Sequence, residues 1–183
     1  METTASEKKQ QELEQELRAE RKAREEAERK AEAQRKAREE AERKAELARL
    51  GFVDLGLPSG TLWKNSNEGG DYTRYTYDEA VRKFGNKLPT KQQLEELENK
   101  CTWTWIGSGY KVTGPNGESI TLPAAGIRYC DGDVDNVGTR GHYWSFAPYD
   151  SDGAWYLYFN SSGVYMYGHY RCSRLSVRLV QNP

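Results

Sequence analysis

Two patterns of apolar and polar residues divide the chain. Through residues 1–50 apolar positions are sparse and are mostly alanine, and the block RKAREEAERKAE of Arg21–Glu32 recurs unchanged at Arg35–Glu46. A repeat of 14 residues equals two heptads, which is a helical period. From Gly51 onward, short apolar runs alternate with turn residues. The pattern predicts a helical stalk over residues 1–50 and a globular domain over residues 51–183.

The predicted stalk is strongly charged and weakly apolar. Glutamates lie four residues before a base in the pairs Glu25–Arg29, Glu26–Lys30 and Glu39–Arg43, the order that favours ion pairs on one helix face. Polar residues interrupt its apolar seam of Leu13, Leu17, Ala27, Ala31, Ala41 and Ala45. A solvated single helix and a weak dimeric or trimeric coiled coil both fit this pattern. Either one makes the segment a spacer.

The first half of the globular domain combines strand and helix signals. Apolar residues on either side of the Pro58–Gly60 turn predict two short strands. Thr76 is a suitable N-cap for a helix that ends at Gly85. Thr90 and Gln93 have the spacing of a capping box, which starts a second helix that ends near Cys101.

The second half carries strand and turn signals. GYKVT and ESITLP on either side of GPNG predict a hairpin. In AWYLYFN and VYMYG the period is two, which separates an apolar face from a tyrosine face, namely Leu157, Phe159, Val164 and Met166 from Tyr156, Tyr158, Tyr165 and Tyr167. The same rule applied to LSVRLV predicts Leu175, Val177 and Leu179 inward, with Ser176 and Arg178 outward. The predicted fold class is α+β.

Charge and terminal sequence exclude several classes of protein. The net charge is -1 and bases are interleaved with acids, so we expect no nucleic-acid partner. METTASEKKQ has no apolar h-region, and no run approaches 18 apolar residues, so we expect neither a signal peptide nor membrane insertion. Three cysteines without a CxxC are too few for a disulfide framework, and we expect reduced thiols at Cys101, Cys130 and Cys172.

Candidate metal and catalytic residues are few. Asp131–Asn136 begins like an EF-hand loop, but Asn136 replaces the glycine and His142 the glutamate that such a loop needs. We therefore expect a polar turn, with no metal and no cofactor. The only histidines are His142 and His169, and neither lies in a recognisable nucleophile–base pattern, so we expect no catalysis.

Six short motifs resemble a known family. In chain order they are LGLPSGTLW, LPT, CTWTW, ITLPAAG, GHYWS and LSVRLV. Together they span about residues 51–181 and resemble the "major paralogous domain" family of gut bacteria, which is similar to the C-type-lectin-fold variable proteins of diversity-generating retroelements. The resemblance implies a C-type-lectin-like domain with two helices and a twisted antiparallel sheet. It also implies that ligand-binding residues lie on the C-terminal strands and loops, here between Trp144 and Leu175.

The resemblance further implies diversification of that surface. In such variable proteins template adenines are replaced at random, so that AAC codons become NNC codons, which never encode Lys, Glu, Gln, Trp or Met. Between Glu118 and Gln181 the chain contains no Lys, Glu or Gln. Strand-rich segments are also depleted in Lys and Glu, so both origins fit the composition. Formylglycine-generating enzymes have a similar fold and use a pair of cysteines, which would make an enzyme the third alternative.

Tyrosine is concentrated in the same region. Seven of the twelve tyrosines lie between Tyr143 and Tyr170, among Ser, Gly, Asp and Asn. Tyrosine offers a large rigid contact surface and a hydroxyl, as in antibody loops, whereas cross-strand pairing is the alternative role and is favoured for Tyr156 and Tyr158. The predicted ligand-binding residues are Phe146, Tyr149, Asp150, Asp152, Gly153, Tyr165, Tyr167, Gly168, His169, Tyr170, Cys172, Ser173 and Arg174.

The sequence thus predicts a non-enzymatic binding protein. Its domain would contact a protein or glycan ligand, and homo-oligomerisation through the N-terminal helix would add avidity. The alternative is a structural protein of a fibre or assembly, in which the same tyrosines pack a subunit interface. Without an export signal, a phage particle or the bacterial cytoplasm is the expected location.

Overall fold

The computed structural model describes residues 3–183, which divide into two compact units between Ala45 and Glu46. Helix α1 spans Thr3–Leu50, so the predicted helix is confirmed. Its described side chains are almost all exposed, and the predicted Glu26–Lys30 ion pair forms at 2.6 Å. Leu13 and Leu17 of the apolar seam are 66% and 59% exposed. The oligomeric state of the helix stays a prediction.

The first and the last strand of the second unit belong to one sheet. Strand β1 (Phe52–Asp54) pairs with β2 (Leu62–Lys64), which also pairs with the last strand, β11 (Val180–Gln181), all antiparallel. The predicted turn at Pro58–Gly60 closes the β1–β2 hairpin, where the Gly60 nitrogen donates to the Leu57 carbonyl at 2.9 Å. Both ends of the domain are therefore hydrogen-bonded to β2, which lies between them.

Two helices follow the first sheet where capping residues predict them. Helix α2 (Tyr77–Phe84) starts at a capping box of Thr76 and Glu79, and a 3-10 turn (Gly85–Lys87) ends it. Helix α3 (Lys91–Lys100) starts at the predicted capping box of Thr90 and Gln93. Both predicted helices are confirmed, because the signals that set them are local in sequence.

The remaining strands form three antiparallel sheets. One contains β3 (Thr102–Trp105), β4 (Gly109–Thr113) and β5 (Ser119–Pro123). A two-stranded sheet contains β6 (Ile127–Arg128) and β7 (Val134–Asp135), so the acidic run Asp131–Asn136 lies in a polar hairpin. The third has the order β10-β9-β8, with β8 at Arg140–Pro148, β9 at Gly153–Asn160 and β10 at Gly163–Tyr170. The chain is thus α+β, with a long N-terminal helix and antiparallel sheets.

The apolar faces of these elements form two core clusters. The first joins α3, β4 and β5 to the inner face of β9 through residues such as Leu97, Val112, Leu157 and Phe159. The second joins α2 to β8 and to the segment after β10, with Trp144 and Leu175 fully buried in it. The sheet β10-β9-β8 lies between the two clusters and carries the candidate site.

The prediction for LSVRLV is wrong in part. Only Val180 and Gln181 of this region form a strand, and Ser176 and Arg178 are buried, at 0% and 1% exposure. The Arg178 guanidinium donates to Asn67 Oδ1 at 2.7 Å and to the Lys64 and Thr121 carbonyls. The alternation fails because this segment is covered on both sides: protein groups satisfy the Arg178 guanidinium instead of water, whereas Ser176 Oγ is buried without a hydrogen-bond partner among residues 3–183.

The prediction of three reduced thiols is also wrong. Cys130 and Cys172 form a disulfide with a Cα–Cα distance of 5.1 Å, whereas Cys101 is free. The cause is an antiparallel bridge between Arg128 and Arg174, which brings the residue two positions after Arg128 opposite the residue two positions before Arg174. Nothing in the linear spacing of 42 residues reveals that pairing.

Residues 3–183 contain neither a membrane-spanning helix nor a group of side chains suited to a metal ion. No helix within residues 3–183 combines the length and the apolarity needed to cross a membrane. Across the same part of the chain, His, Cys, Asp and Glu side chains form no group of three that could hold a metal ion.

Candidate functional site: an aromatic face

One face of the sheet β10-β9-β8 is a continuous aromatic surface. Cross-strand register places Tyr165 opposite Tyr158, Tyr167 opposite Tyr156, and His142 opposite Tyr158. Ring centroids of neighbours are 5.3 to 6.5 Å apart, within the range of favourable aromatic contacts. We call this surface the aromatic face, and its members are His142, Tyr156, Tyr158, Tyr165, Tyr167 and His169.

Exposure increases across the aromatic face toward the sheet edge. His142 on β8 is 5% exposed and Tyr156 on β9 is 8% exposed. On the edge strand β10, Tyr165 and Tyr167 are 41% and 50% exposed. The face therefore has a packed inner part that holds the rings in place and an outer part that a ligand can reach.

The two histidines of the aromatic face are held neutral at physiological pH. Burial, with smaller effects of His169 and Arg140, lowers the pKa of His142 to about 3. Burial also lowers the pKa of His169. Nδ1 of His142 and Nε2 of His169 are buried without a hydrogen-bond partner among residues 3–183. Neutral imidazoles extend the surface as aromatic rings instead of adding positive charge.

The Tyr156 hydroxyl of the aromatic face is also uncharged. Burial, together with Tyr158 and Tyr167 nearby, raises the pKa of Tyr156 to about 12. The Asn160 amide donates to the Tyr158 hydroxyl at 3.1 Å. The aromatic face is thus a neutral, amphipathic surface that offers ring faces together with hydroxyl donors and acceptors.

A disulfide borders the aromatic face at one end. The Tyr129 ring lies 6.3 Å from the His169 ring, and the Tyr170 ring lies 6.1 Å from it. Cys130 follows Tyr129 directly and is bonded to Cys172, so the bond ties the β6–β7 hairpin to the end of β10. Tyr170 is 65% exposed and Tyr129 is 36% exposed, which extends the accessible aromatic surface past the strand.

A second aromatic group lies on the opposite face of the same hairpin. The Tyr149 ring packs edge-on against Trp155 at 4.8 Å, and Lys91 Nζ lies 4.4 Å from the Trp155 ring centre. Tyr149 also covers Gly168, where an added Cβ would lie 2.6 Å from its ring. Trp155 and Gly168 are paired across β9 and β10 and alternate with Tyr156 and Tyr167. Gly168 therefore provides the space that Tyr149 occupies.

The predicted binding residues consequently fall into separate groups. Tyr165, Tyr167 and His169 lie together on the aromatic face, with Tyr170 beside them. Tyr149 and Gly168 lie on the opposite face, near the exposed turn that contains Asp150 and Asp152. Phe146 is 39% exposed and its backbone nitrogen donates to the Pro89 carbonyl. The other predicted positions have structural contacts: Gly153 and Ser173 are buried, Cys172 is in the disulfide, and Arg174 pairs with Glu79.

Sequence reasoning missed two rings of this surface. His142 was not predicted to lie on this surface, although the alternation in GHYWS places it on the same side as Trp144. That alternation, aligned with the one in AWYLYFN, is a signal that would have found it. Tyr129 gives no such signal, because its position depends on the disulfide and on the bridge between Arg128 and Arg174.

A known family model matches the region that contains the aromatic face. Residues 110–180, from the second residue of β4 to the first of β11, match the family model of a domain of unknown function, DUF8237. The matched stretch contains the whole aromatic face and both cysteines of the disulfide. The chain matches no curated protein and no solved structure.

Proposed function

We propose that residues 51–183 form a C-type-lectin-like domain that binds a protein or glycan ligand, without catalysis, through the aromatic face. The observation that carries this proposal is the pair Tyr165 and Tyr167 on the edge strand β10. Their rings lie 5.9 Å apart and are stacked at 22°, and both are about half exposed. Two large, accessible and nearly parallel rings form a surface on which a ligand can stack.

The fixed orientation of the outer rings favours a role in ligand binding over a role in sheet stability alone. Tyr165 stacks on Tyr158, and Tyr167 contacts both Tyr156 and Tyr158. Because those inner rings are already packed, the outer rings lose little conformational entropy when a ligand arrives. Exposed tyrosines of this kind stack on the apolar face of a sugar or enter the centre of a protein interface.

The absence of catalysis is part of the proposal and has its own support. His142, the more buried of the two histidines, is 5% exposed and has its pKa lowered to about 3. An imidazole that is buried and fully neutral at pH 7 is a poor proton shuttle for a bound substrate. The free Cys101 is partly buried against the first core cluster, and burial raises its pKa to about 11, which disfavours the reactive thiolate.

Diversification by a retroelement and a location on a phage particle also belong to the proposal. Tyr165, Tyr167 and Tyr170 have NNC-compatible identities and are exposed, as a variable surface requires. The exposed Cys130–Cys172 bond favours an extracellular particle over the cytoplasm, since thiols stay reduced in the cytoplasm. A near-copy of the DNA that encodes Gly141–Val180, differing only at adenines and beside a reverse transcriptase gene, would establish the mechanism.

The binding proposal is tested with the full chain on a printed glycan array and on fixed bacterial cells. Wild type should bind at least one of these targets, and the double variant Tyr165→Ala/Tyr167→Ala should lose about tenfold or more of the affinity. Tyr72→Ala is the matched control, because Tyr72 is 68% exposed and lies outside the aromatic face.

Two results would contradict this function. Equal binding by the double variant and wild type would remove the aromatic face from the binding site. If instead sedimentation equilibrium showed a wild-type oligomer that the double variant dissociates, the rings would be a subunit interface and the structural alternative would replace the proposal.

A further inference from the structure

A basic pocket lies outside the aromatic face. Its volume is about 470 Å³, a size typical of small-molecule sites. The segment before α2, helix α2 itself and the segment after β10 supply its walls. Four of the six lining side chains are cationic and one is a carboxylate; the lining residues are Arg74, Tyr75, Glu79, Arg82, Lys83 and Arg174.

The single carboxylate of the pocket is already engaged. Glu79 accepts hydrogen bonds from both terminal nitrogens of Arg174, at 2.6 and 3.1 Å, and from the Thr76 backbone nitrogen at 2.9 Å. The Thr76 backbone bond, together with Arg174, lowers the pKa of Glu79. Glu79 therefore neutralises the charge of Arg174. Three further cationic side chains, Arg74, Arg82 and Lys83, line the same pocket.

The position of Arg74 is fixed by the backbone around it. Its guanidinium donates to the Ala125 carbonyl and, at 3.2 Å, to the Tyr72 carbonyl. Burial lowers its pKa, and the nearby charge of Arg128 lowers it further. A cation that is partly desolvated beside a second cation is stabilised by any anion that enters the pocket.

Lys83 and Arg82 come from the last turn of α2 and are exposed. Lys83 Nζ lies 5.2 Å from the Tyr75 ring centre and 5.3 Å from that of Phe84, a cation–π arrangement that holds the ammonium beside the pocket wall. The pocket thus has cations on separate segments around one space, and the Tyr75 ring forms part of its wall.

We propose that this pocket binds an oxyanion group, namely a sulfate or phosphate. Guanidinium groups match the paired oxygens of such anions, and lysine adds a charge that tolerates varied geometry. No residue of the pocket belongs to the aromatic face, so this inference stands apart from the proposed function. The oxyanion is either free in solution or the charged group of a larger ligand.

The test uses the full chain with sodium sulfate, sodium phosphate and N-acetylglucosamine 6-sulfate, each titrated by calorimetry with ionic strength held constant by sodium chloride. We expect saturable binding of at least one probe. Tighter binding of the sulfated sugar than of inorganic sulfate identifies a group on a larger ligand, whereas equal affinities identify a free oxyanion. Unsulfated N-acetylglucosamine should not bind at this pocket.

Variants assign the binding to the pocket. Arg82→Gln/Lys83→Gln removes two exposed cations and should weaken binding by about tenfold or more, because each charge-assisted hydrogen bond contributes strongly. Lys100→Gln/Lys111→Gln removes the same charge from exposed positions outside the pocket and should leave the affinity unchanged. Absence of saturable binding by every probe, or equal losses in the two double variants, would overturn the proposal.

Discussion

The two faces of the sheet β10-β9-β8 have the same alternating pattern but different surroundings. On the inner face, Leu157 and Phe159 are fully buried in the first core cluster, and Val164 and Met166 pack against it. On the outer face, burial is complete only near β8 and decreases to half exposure at Tyr165 and Tyr167. A period of two therefore decides which side a residue faces, whereas the neighbouring elements decide whether that side is covered.

Residue type reflects this difference. At Leu157, Phe159, Val164 and Met166 the inner face of β9 and β10 uses side chains without polar hydrogen-bonding groups, which suit a region closed to water. The outer face uses Tyr and His, whose rings pack while their polar atoms remain usable where water is present. Tyrosine on an edge strand is thus compatible with both sheet stability and contact with a partner, and mutations can separate the two contributions.

The largest effect should come from the inner face. Phe159→Ala removes a fully buried ring that packs on Gly141 and on Trp103, Tyr110 and Tyr143. We expect the free energy of unfolding to fall by about 3–5 kcal/mol, as for other buried aromatic truncations. Urea denaturation followed by circular dichroism measures this. A loss below about 1.5 kcal/mol would mean that the inner face is not a closed core.

A pH effect should distinguish the buried part of the aromatic face. The pKa of His142 is lowered from 6.5 to about 3 by burial, with smaller contributions from His169, Arg140 and Arg74. Between these values the unfolded chain binds a proton at this imidazole that the folded chain does not bind. The free energy of unfolding therefore falls as pH falls through this range, by about 2.5 kcal/mol between pH 7 and 4.5 from His142 alone.

The variant His142→Phe isolates that contribution. It keeps a ring against Tyr156, with which His142 is stacked at 10°, and removes the titrating group. The loss of stability between pH 7 and 4.5 should be smaller in the variant than in wild type by about 2.5 kcal/mol. Identical pH dependence in the two proteins would show that His142 is accessible to protons in the folded state.

The smallest effect should come from the exposed rings. Tyr167→Ala should lower the free energy of unfolding by less than about 1 kcal/mol, the scale of one cross-strand pair. Tyr156→Ala is its matched comparison, since Tyr156 is its partner across β9 and is 8% exposed. We expect a loss of about 3 kcal/mol there. Equal losses by urea denaturation would mean that the outer rings serve the sheet alone.

Local signals in the sequence predict much of the fold. The capping residues Thr76 and Thr90 act within one turn, and the alternation in AWYLYFN acts within one strand, so both are readable without knowledge of the neighbours. The burial of Arg178 and the pairing of Cys130 with Cys172 depend on segments far apart in sequence. Neither feature could be predicted, because no local sequence pattern encodes which distant segments cover a strand.

The candidate site, like the fold, was predictable only where the signal is local in sequence. Composition located the tyrosines, and period-two alternation separated Tyr165 and Tyr167 from Met166. It did not reveal that Tyr149 lies over Gly168 on the other face, because that contact depends on how the turn after β8 folds back. The basic pocket was missed entirely, since its cations come from three separate segments and form no charge run.

The Cys130–Cys172 bond makes part of the domain a covalent ring. Strands β7 to β10, and with them the whole aromatic face, lie between the two bonded cysteines. A protease that nicks the exposed turn at Asp150–Asp152 would cut this ring once without releasing a fragment. The nicked protein would migrate as one species on a non-reducing gel and as two after reduction. A surface built this way tolerates backbone cleavage at its own turns while its two halves remain attached.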